Sequence, residues 1–376
     1  METSSNHVNA EEEISVEEKK LTLEIEKIKE QLDIARQAMQ DTDYFKMTEH
    51  VKELGRIKFK VRKQLHGHLS KITGICWAQD SQLLVSASQD GKLFIWDTHT
   101  ANKIHMIPLE IPWVIGCGIS PNMKLVCSGG LDNVISVFNI ANIDSLMKPS
   151  IELKDHKGYI SNCKFINDSS IISSSGDKNC ILWDISSGGK AVAQFVGHQN
   201  DVTAIALSSS RSDMFVSVSS DKSCRIWDIR SQRCVQIFEG HTEDVNGVEF
   251  FPKDNYGFVT SSDDGTCRLW DSRADQSIAV YTDDYITCGS TSVSLSKSGR
   301  LLIAGYDDYN CHVWDVLREE RVGIMSAHDG RVSCVSVSPN GVGIATGSWD
   351  SSCLIWTSKP RQEADDESSN RLSISL

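Results

Sequence analysis

The chain has 376 residues, 40% of them hydrophobic, with 38 basic and 51 acidic side chains and a net charge of −13 at neutral pH. Acidity on that scale argues against nonspecific nucleic-acid binding, which works by neutralising phosphates. No apolar run approaches the roughly 20 residues that cross a bilayer, so membrane contact is expected only through a partner.

Residues 1–15 are acidic and polar and read as a disordered tail. They lack the apolar core of a secretory signal, and Glu2 stands where myristoylation requires glycine. Residues 16–46 place Leu21, Ile25, Ile28, Leu32, Ala35 and Met39 at alternating spacings of four and three, with Glu and Lys between them. That pattern predicts a coiled-coil helix with a narrow apolar seam. A lone helix of this length is marginal in water, so the seam is expected to take a second chain rather than fold back on its own. Residues 47–56 read as a linker.

From 57 to 356 the fold class changes to all-β: short Val, Ile, Leu and Cys runs alternate with turn residues. Seven times an Asp precedes a Trp or Phe by six residues: Asp90/Trp96, Asp132/Phe138, Asp177/Trp183, Asp221/Trp227, Asp264/Trp270, Asp308/Trp314 and Asp350/Trp356. The aromatic recurs every 42 to 45 residues, the period of a four-stranded propeller blade. The length prior of two or three domains yields to this repeat, because each unit buries its apolar face only against its neighbours. A seven-bladed β-propeller preceded by an α-helix is therefore expected.

Five repeats open with a histidine: Gly67-His68, Asp155-His156, Gly197-His198, Gly240-His241 and Ala327-His328. These residue types suit a buried network in which the turn Asp accepts from the ring, a strand Ser or Thr bridges, and the indole N–H donates. Such mutual satisfaction makes His/Asp/Ser sets poor catalytic triads. No G-x-S-x-G elbow or phosphate loop accompanies them, so no enzyme is expected. The 12 cysteines scatter singly through strands without a CxxC pair, and Cys311 and His312 alternate to opposite faces. They read as reduced, buried small hydrophobes, with no metal or cofactor.

Trp356 ends the third strand of the seventh repeat. Residues 357–376, with Pro360 and an acidic, Ser-rich run, read as a disordered tail that cannot add a fourth. Its Ser368, Ser369, Ser373 and Ser375 are candidate phosphorylation sites. The alternating segment 57–65 is the natural closing strand, its Lys58, Lys60, Arg62 and Lys63 forming a solvated face.

The segments SQDGKLFIWDTHTANKIHMIPL (88–109), SGGLDNVISVFNI (128–140), DDGTCRLWDSRADQ (263–276), SVSLSKSGRLLIAGYDDYNCHVWD (292–315) and ATGSWDSSCLIW (345–356) are more specific than generic WD-repeat punctuation. Over residues 16–356 the chain resembles the β subunits of heterotrimeric G proteins, built on WD40 propellers. The resemblance implies an N-terminal helix paired with a γ subunit, through the seam named above. It also implies a loop face that binds the GDP-bound α subunit and, once α departs, downstream effectors and regulators.

On the matching positions, the α and effector surface would comprise Leu69, Lys71, Lys92, Asn102, Lys103, Trp113, Leu131, Asn133, Tyr159, Asp201, Asp244, Asn246, Asp263 and Trp349. Trp113 and Trp349 would be its aromatic anchors. Location would be cytoplasmic, at the inner face of the plasma membrane and held there by a partner's lipid. The chain departs from the family pattern at Thr73, Phe94, Ile115 and Lys157, all expected on the same face, which implies an altered affinity for common α subunits. The other reading is a WD-repeat scaffold recruiting kinases or peptides outside the G-protein cycle.

Overall fold

The computed structural model describes residues 19–21, 23–25, 27, 28, 31, 48, 50–141, 148–208, 213–252, 254, 256–274 and 276–358. The chain divides into two compact units, 1–51 and 52–376. In the first, the described positions between 19 and 31 are helical, and Leu21, Ile25 and Ile28 stand exposed. Leu32, Ala35 and Met39 of the expected seam lie outside the described residues.

The second unit is a seven-bladed β-propeller. Each blade is a four-stranded antiparallel sheet, and in the first six the strands follow chain order from the axis outwards. Blades 1 to 6 span residues 72–108, 114–153, 160–196, 202–239, 245–281 and 290–326. The seventh takes three strands from 332–358 and its outer strand from Phe59–Leu65, which pairs antiparallel with Cys353–Ser358. Val61 lies opposite Trp356 and Leu65 opposite Cys353, and the Arg62 side chain donates to Thr357 Oγ1 at 2.9 Å. The expected basic face of this strand is solvated at Lys60 and Arg62.

The turn between the second and third strands explains the spacing of the repeated Asp. In all seven blades its Oδ1 accepts the backbone N–H two residues on, from Lys92, Val134, Asn179, Ser223, Thr266, Asn310 or Ser352, at 2.8 to 3.3 Å. The intervening residue is left-handed each time: Gly91, Asn133, Lys178, Lys222, Gly265, Tyr309 or Ser351. A carboxylate that closes its own turn supports a conformation most side chains avoid.

Packing is a series of layers between blades. Trp96, Trp183, Trp227, Trp270, Trp314 and Phe138 are fully buried, and apolar clusters join blade 1 to 2, 2 to 3, 3 to 4, 4 to 5, 6 to 7 and 7 back to 1. The innermost strands surround an axial channel of about 510 Å³. Their second residues staple the ring together by donating to the first carbonyl of the next innermost strand. Thr73 donates to Val114 at 2.8 Å, Ser161 to Val202 at 2.5 Å, Thr203 to Val245, Thr291 to Val332 at 2.5 Å and Ser333 to Ile72 at 2.5 Å. Asn246 reaches Ser290 at 3.1 Å through its amide. Blade 2 has Ile115 at this position, with no donor to give.

Candidate functional site

Five blades share one buried hydrogen-bond chain. The hydroxyl lies ten residues before the Trp: Ser86, Ser173, Ser217, Thr260 and Thr346. Indole Nε1 donates to it at 2.8 to 2.9 Å. The hydroxyl meets histidine Nε2 at 2.7 to 2.8 Å. Nδ1 lies 2.7 to 3.1 Å from the Asp Oδ2. A neutral imidazole protonated on Nδ1 satisfies every group in the chain. Burial lowers the His68 and His241 pKa values, consistent with that state. Burial alone would raise Asp177, but hydrogen bonds from the His156 ring and the Lys157 N–H bring it down to about 2. With its lone pairs and proton committed inside the fold, the serine is a strut rather than a nucleophile.

The strut aims the loops. Asp90 Oδ2 also takes the Leu69 N–H at 2.9 Å, and its counterparts take those of Lys157, Gln199, Thr242 and Asp329. The residue after each histidine is therefore fixed by its backbone with its side chain outwards, and Leu69 is 81% exposed.

In a four-stranded meander, the loop leading into the first strand and the loop joining strands two and three lie at the same end of the blade. Leu69, Lys71, Trp113, Tyr159, Asp201 and Asp244 sit on leading loops, and Leu131, Asn133, Asp263 and Trp349 on middle loops. Lys92 begins a third strand and Asn246 is second in an innermost one. These twelve residues thus share one face. Trp113 is 51% and Trp349 40% exposed, and Leu131 is exposed beside Trp113, whose carbonyl accepts the Leu131 N–H.

Charge divides this face. Lys71 Nζ stands 3.6 Å from the centre of the Trp349 ring, and the Arg331 guanidinium 4.9 Å from it, a cation–aromatic cluster across blades 7 and 1. Blades 3 to 5 carry the acidic side. Tyr159 Oη donates to Asp201 at 2.8 Å, burial and that carboxylate pushing the phenol up to about 12. Asn246 Nδ2 donates to Asp263 at 2.6 Å, while burial raises the Asp263 pKa.

Two expectations are corrected. Asn102 and Lys103 follow the third strand of blade 1, at the opposite end from the loop face. The Lys103 ammonium folds over Phe94 at 3.7 Å and packs against Gly67 on the blade's flank. In blades 4 and 5 the matching glycines, Gly197 and Gly240, meet Arg225 and Arg268 instead. Phe94 occupies the strand position of those arginines, so Lys103 supplies the cation from a neighbouring strand.

The second correction concerns Phe94 itself. It is not a surface departure but part of the core, stacked on the His68 ring at 4.2 Å. Thr73 is engaged in the ring staple, Ile115 is half-buried at the channel mouth, and Lys157 is exposed.

The staple role of these residues, Thr73 and Asn246 included, leaves no mark in the sequence although they recur with the blade period, because Thr, Ser and Asn in a strand look like filler. Among the described residues no group of three or more His, Cys, Asp or Glu could hold a metal, and no helix is long and apolar enough to cross a membrane. A family model described as G protein beta WD-40 repeat protein matches residues 15–357. By that match, which covers the propeller and the helical segment before it, the chain belongs to the G protein β WD-40 repeat family.

Proposed function

We propose that this chain is the β subunit of a heterotrimeric G protein, a non-enzymatic adaptor at the inner face of the plasma membrane. Its N-terminal helix, 16–46, pairs as a coiled coil with a γ subunit through Leu21, Ile25, Ile28, Leu32, Ala35 and Met39, and γ's lipid supplies the membrane anchor. Its loop face binds the GDP-bound α subunit and, when α leaves, downstream effectors and regulators. Lys71 and Lys92 answer acidic groups on a partner, and Asp201, Asp244 and Asp263 answer basic ones.

The observation that carries this reading is the exposure of Trp113, Trp349, Leu69 and Leu131 together on that face. Both tryptophans lie outside the repeat register that fills the core. Large rigid side chains ringed by opposite charges are the composition of an interface hot spot. Regulation follows by steric exclusion on one shared, nearly rigid surface. Asn102 and Lys103 extend the contact along the flank of blade 1.

The test is co-expression with γ chains and pull-down of α in its GDP-bound and activated states. Preferential recovery of the GDP form is expected; equal recovery of both states overturns the reading. Replacing Ile25 and Leu32 by Asp should strip γ from the complex, and retention of γ would overturn the helix assignment.

A further inference from the structure

Blade 2 keeps two members of the buried chain and has lost the other two. Asp132 and Ser128 occupy the carboxylate and hydroxyl positions, six and ten residues before Phe138. Glu110 stands where the other blades have histidine, four residues before the innermost strand, and Phe138 has no indole N–H. Glu110 is exposed rather than turned inwards. The place of the missing ring is a cavity of about 230 Å³, lined by Ser128, Asp132, Ser136, Phe138, Glu110 and Trp113 among others.

Two of its polar groups face the open space. Ser128 is only 3% exposed and lines the cavity. Asp132 accepts only the Val134 N–H, on Oδ1 at 3.3 Å, so its Oδ2 is open where five sister carboxylates hold an imidazole. Blade 6 also lacks the leading histidine but fills the gap from within: His312 Nε2 meets Asp308 Oδ2 at 2.9 Å and the Tyr306 ring stands perpendicular to the imidazole with centroids 4.9 Å apart. Blade 2 has no such substitute.

The geometry points to a ligand site in blade 2 for an imidazole ring, carried on a partner's histidine or on a small molecule. The ring donates one N–H to Asp132 Oδ2, accepts from Ser128 Oγ through its second nitrogen, and stands inclined to Phe138, as the rings of His68, His156, His198 and His241 stand to their Trp at 59° to 68°. The cavity exceeds the roughly 150 Å³ that holds a benzene-sized ring. Its rim carries Glu110 and the Glu152–Lys154 ion pair, so it is acidic enough to retain a protonated ring as well.

Occupancy would also order the loop that bears Trp113. In blades 1, 3, 4, 5 and 7 a serine hydroxyl at the end of the second strand bonds a leading-loop carbonyl: Ser88, Ser175, Ser219, Ser262 and Ser348. Gly130 stands there in blade 2, so its leading loop has neither this tether nor the histidine.

The experiment titrates the full chain, in whatever complex it purifies, with imidazole, with N-acetylhistidine methylamide and with pyrrole. Binding is read by calorimetry and by the fluorescence of Trp113, using Trp113→Phe as the blank. Saturable one-site binding of imidazole is expected, weakened at least about tenfold in Asp132→Asn and in Ser128→Ala. It should be abolished in Glu110→His, which supplies the ring in cis. Binding of the histidine derivative as well assigns the site to a partner's side chain; binding of imidazole alone assigns it to a small molecule. Pyrrole binding as tightly as imidazole, or no saturable imidazole binding by a chain that melts cooperatively, overturns the proposal. Since the readout uses no α or γ subunit, its failure is separable from failure of the G-protein reading.

Discussion

Blades 2 and 4 have the same four strands, the same turn and the same period, yet they are held together differently. Blade 4 runs an unbroken chain from Trp227 through Ser217 and His198 to Asp221, pins its leading loop with Ser219, and staples itself to blade 5 through Thr203. Blade 2 has Phe138, a Ser128 that faces a cavity, no ring, Gly130 and Ile115 at the matching places. The comparison teaches that the turn Asp does two jobs. Oδ1 shapes the turn in every blade, while Oδ2 joins the core only where a histidine arrives. Apolar packing against blades 1 and 3 is enough to keep blade 2 in place, and its polar loss is concentrated beside an exposed tryptophan.

The largest effect that can break this contrast comes from the tryptophans. Trp227→Ala removes a fully buried indole and should cost about 3–5 kcal/mol in urea unfolding. Trp113→Ala should leave that midpoint within about 0.5 kcal/mol while weakening α-subunit binding by about 2 kcal/mol. Equal loss of stability at both sites would show that Trp113 is structural.

Next come the carboxylates. Asp221 accepts from His198, Ser223 and the Gln199 N–H, so Asp221→Ala strands several buried donors and should cost about 3 kcal/mol. Asp132→Ala loses only a turn bond and should cost under about 1 kcal/mol. Thermal melts of the two variants side by side measure the ratio.

Acid sharpens the comparison further. The folded pKa values of His68 and His241 are lowered, so the unfolded chain binds protons first and stability declines as pH falls below the unfolded histidine value of about 6.5. A second loss follows below about 4 as Asp177, at about 2 in the fold, becomes protonated on unfolding. Chemical denaturation from pH 8 to 5 should show the first decline, and hydrogen exchange should place it in blades 1 and 5 and not in blade 2. The smallest effect concerns the staples. Thr203→Val should cost about 1 kcal/mol, and Ile115→Val less, because no hydrogen bond is lost there.

The wheel was readable because its punctuation is local: an Asp closing its own turn leaves a fixed distance to the aromatic whatever the intervening residues are. Phe94 was also readable in principle, since it shares strand parity with the buried Trp96. Lys103 was not, because its place at the start of the outer strand says nothing of an ammonium that folds back over a neighbouring strand. The staples escaped for a different reason. Their acceptors are carbonyls of the next blade, and a backbone carbonyl has no letter in the sequence. The Ser128 cavity becomes visible only when the blades are laid over one another and one lacks its ring.

Closure by Phe59–Leu65 against Cys353–Ser358 joins segments 295 residues apart at the Arg62 to Thr357 bond. At the ~5–20 residues per second of synthesis, the first of these strands leaves the ribosome some ~15–60 seconds before its mate exists. Through that interval six blades can stack while the seventh stands open-edged, vulnerable to the wrong β-strand. The last step of making this molecule is therefore a latch, and whatever shields the waiting strand during translation decides how many chains reach the finished circle.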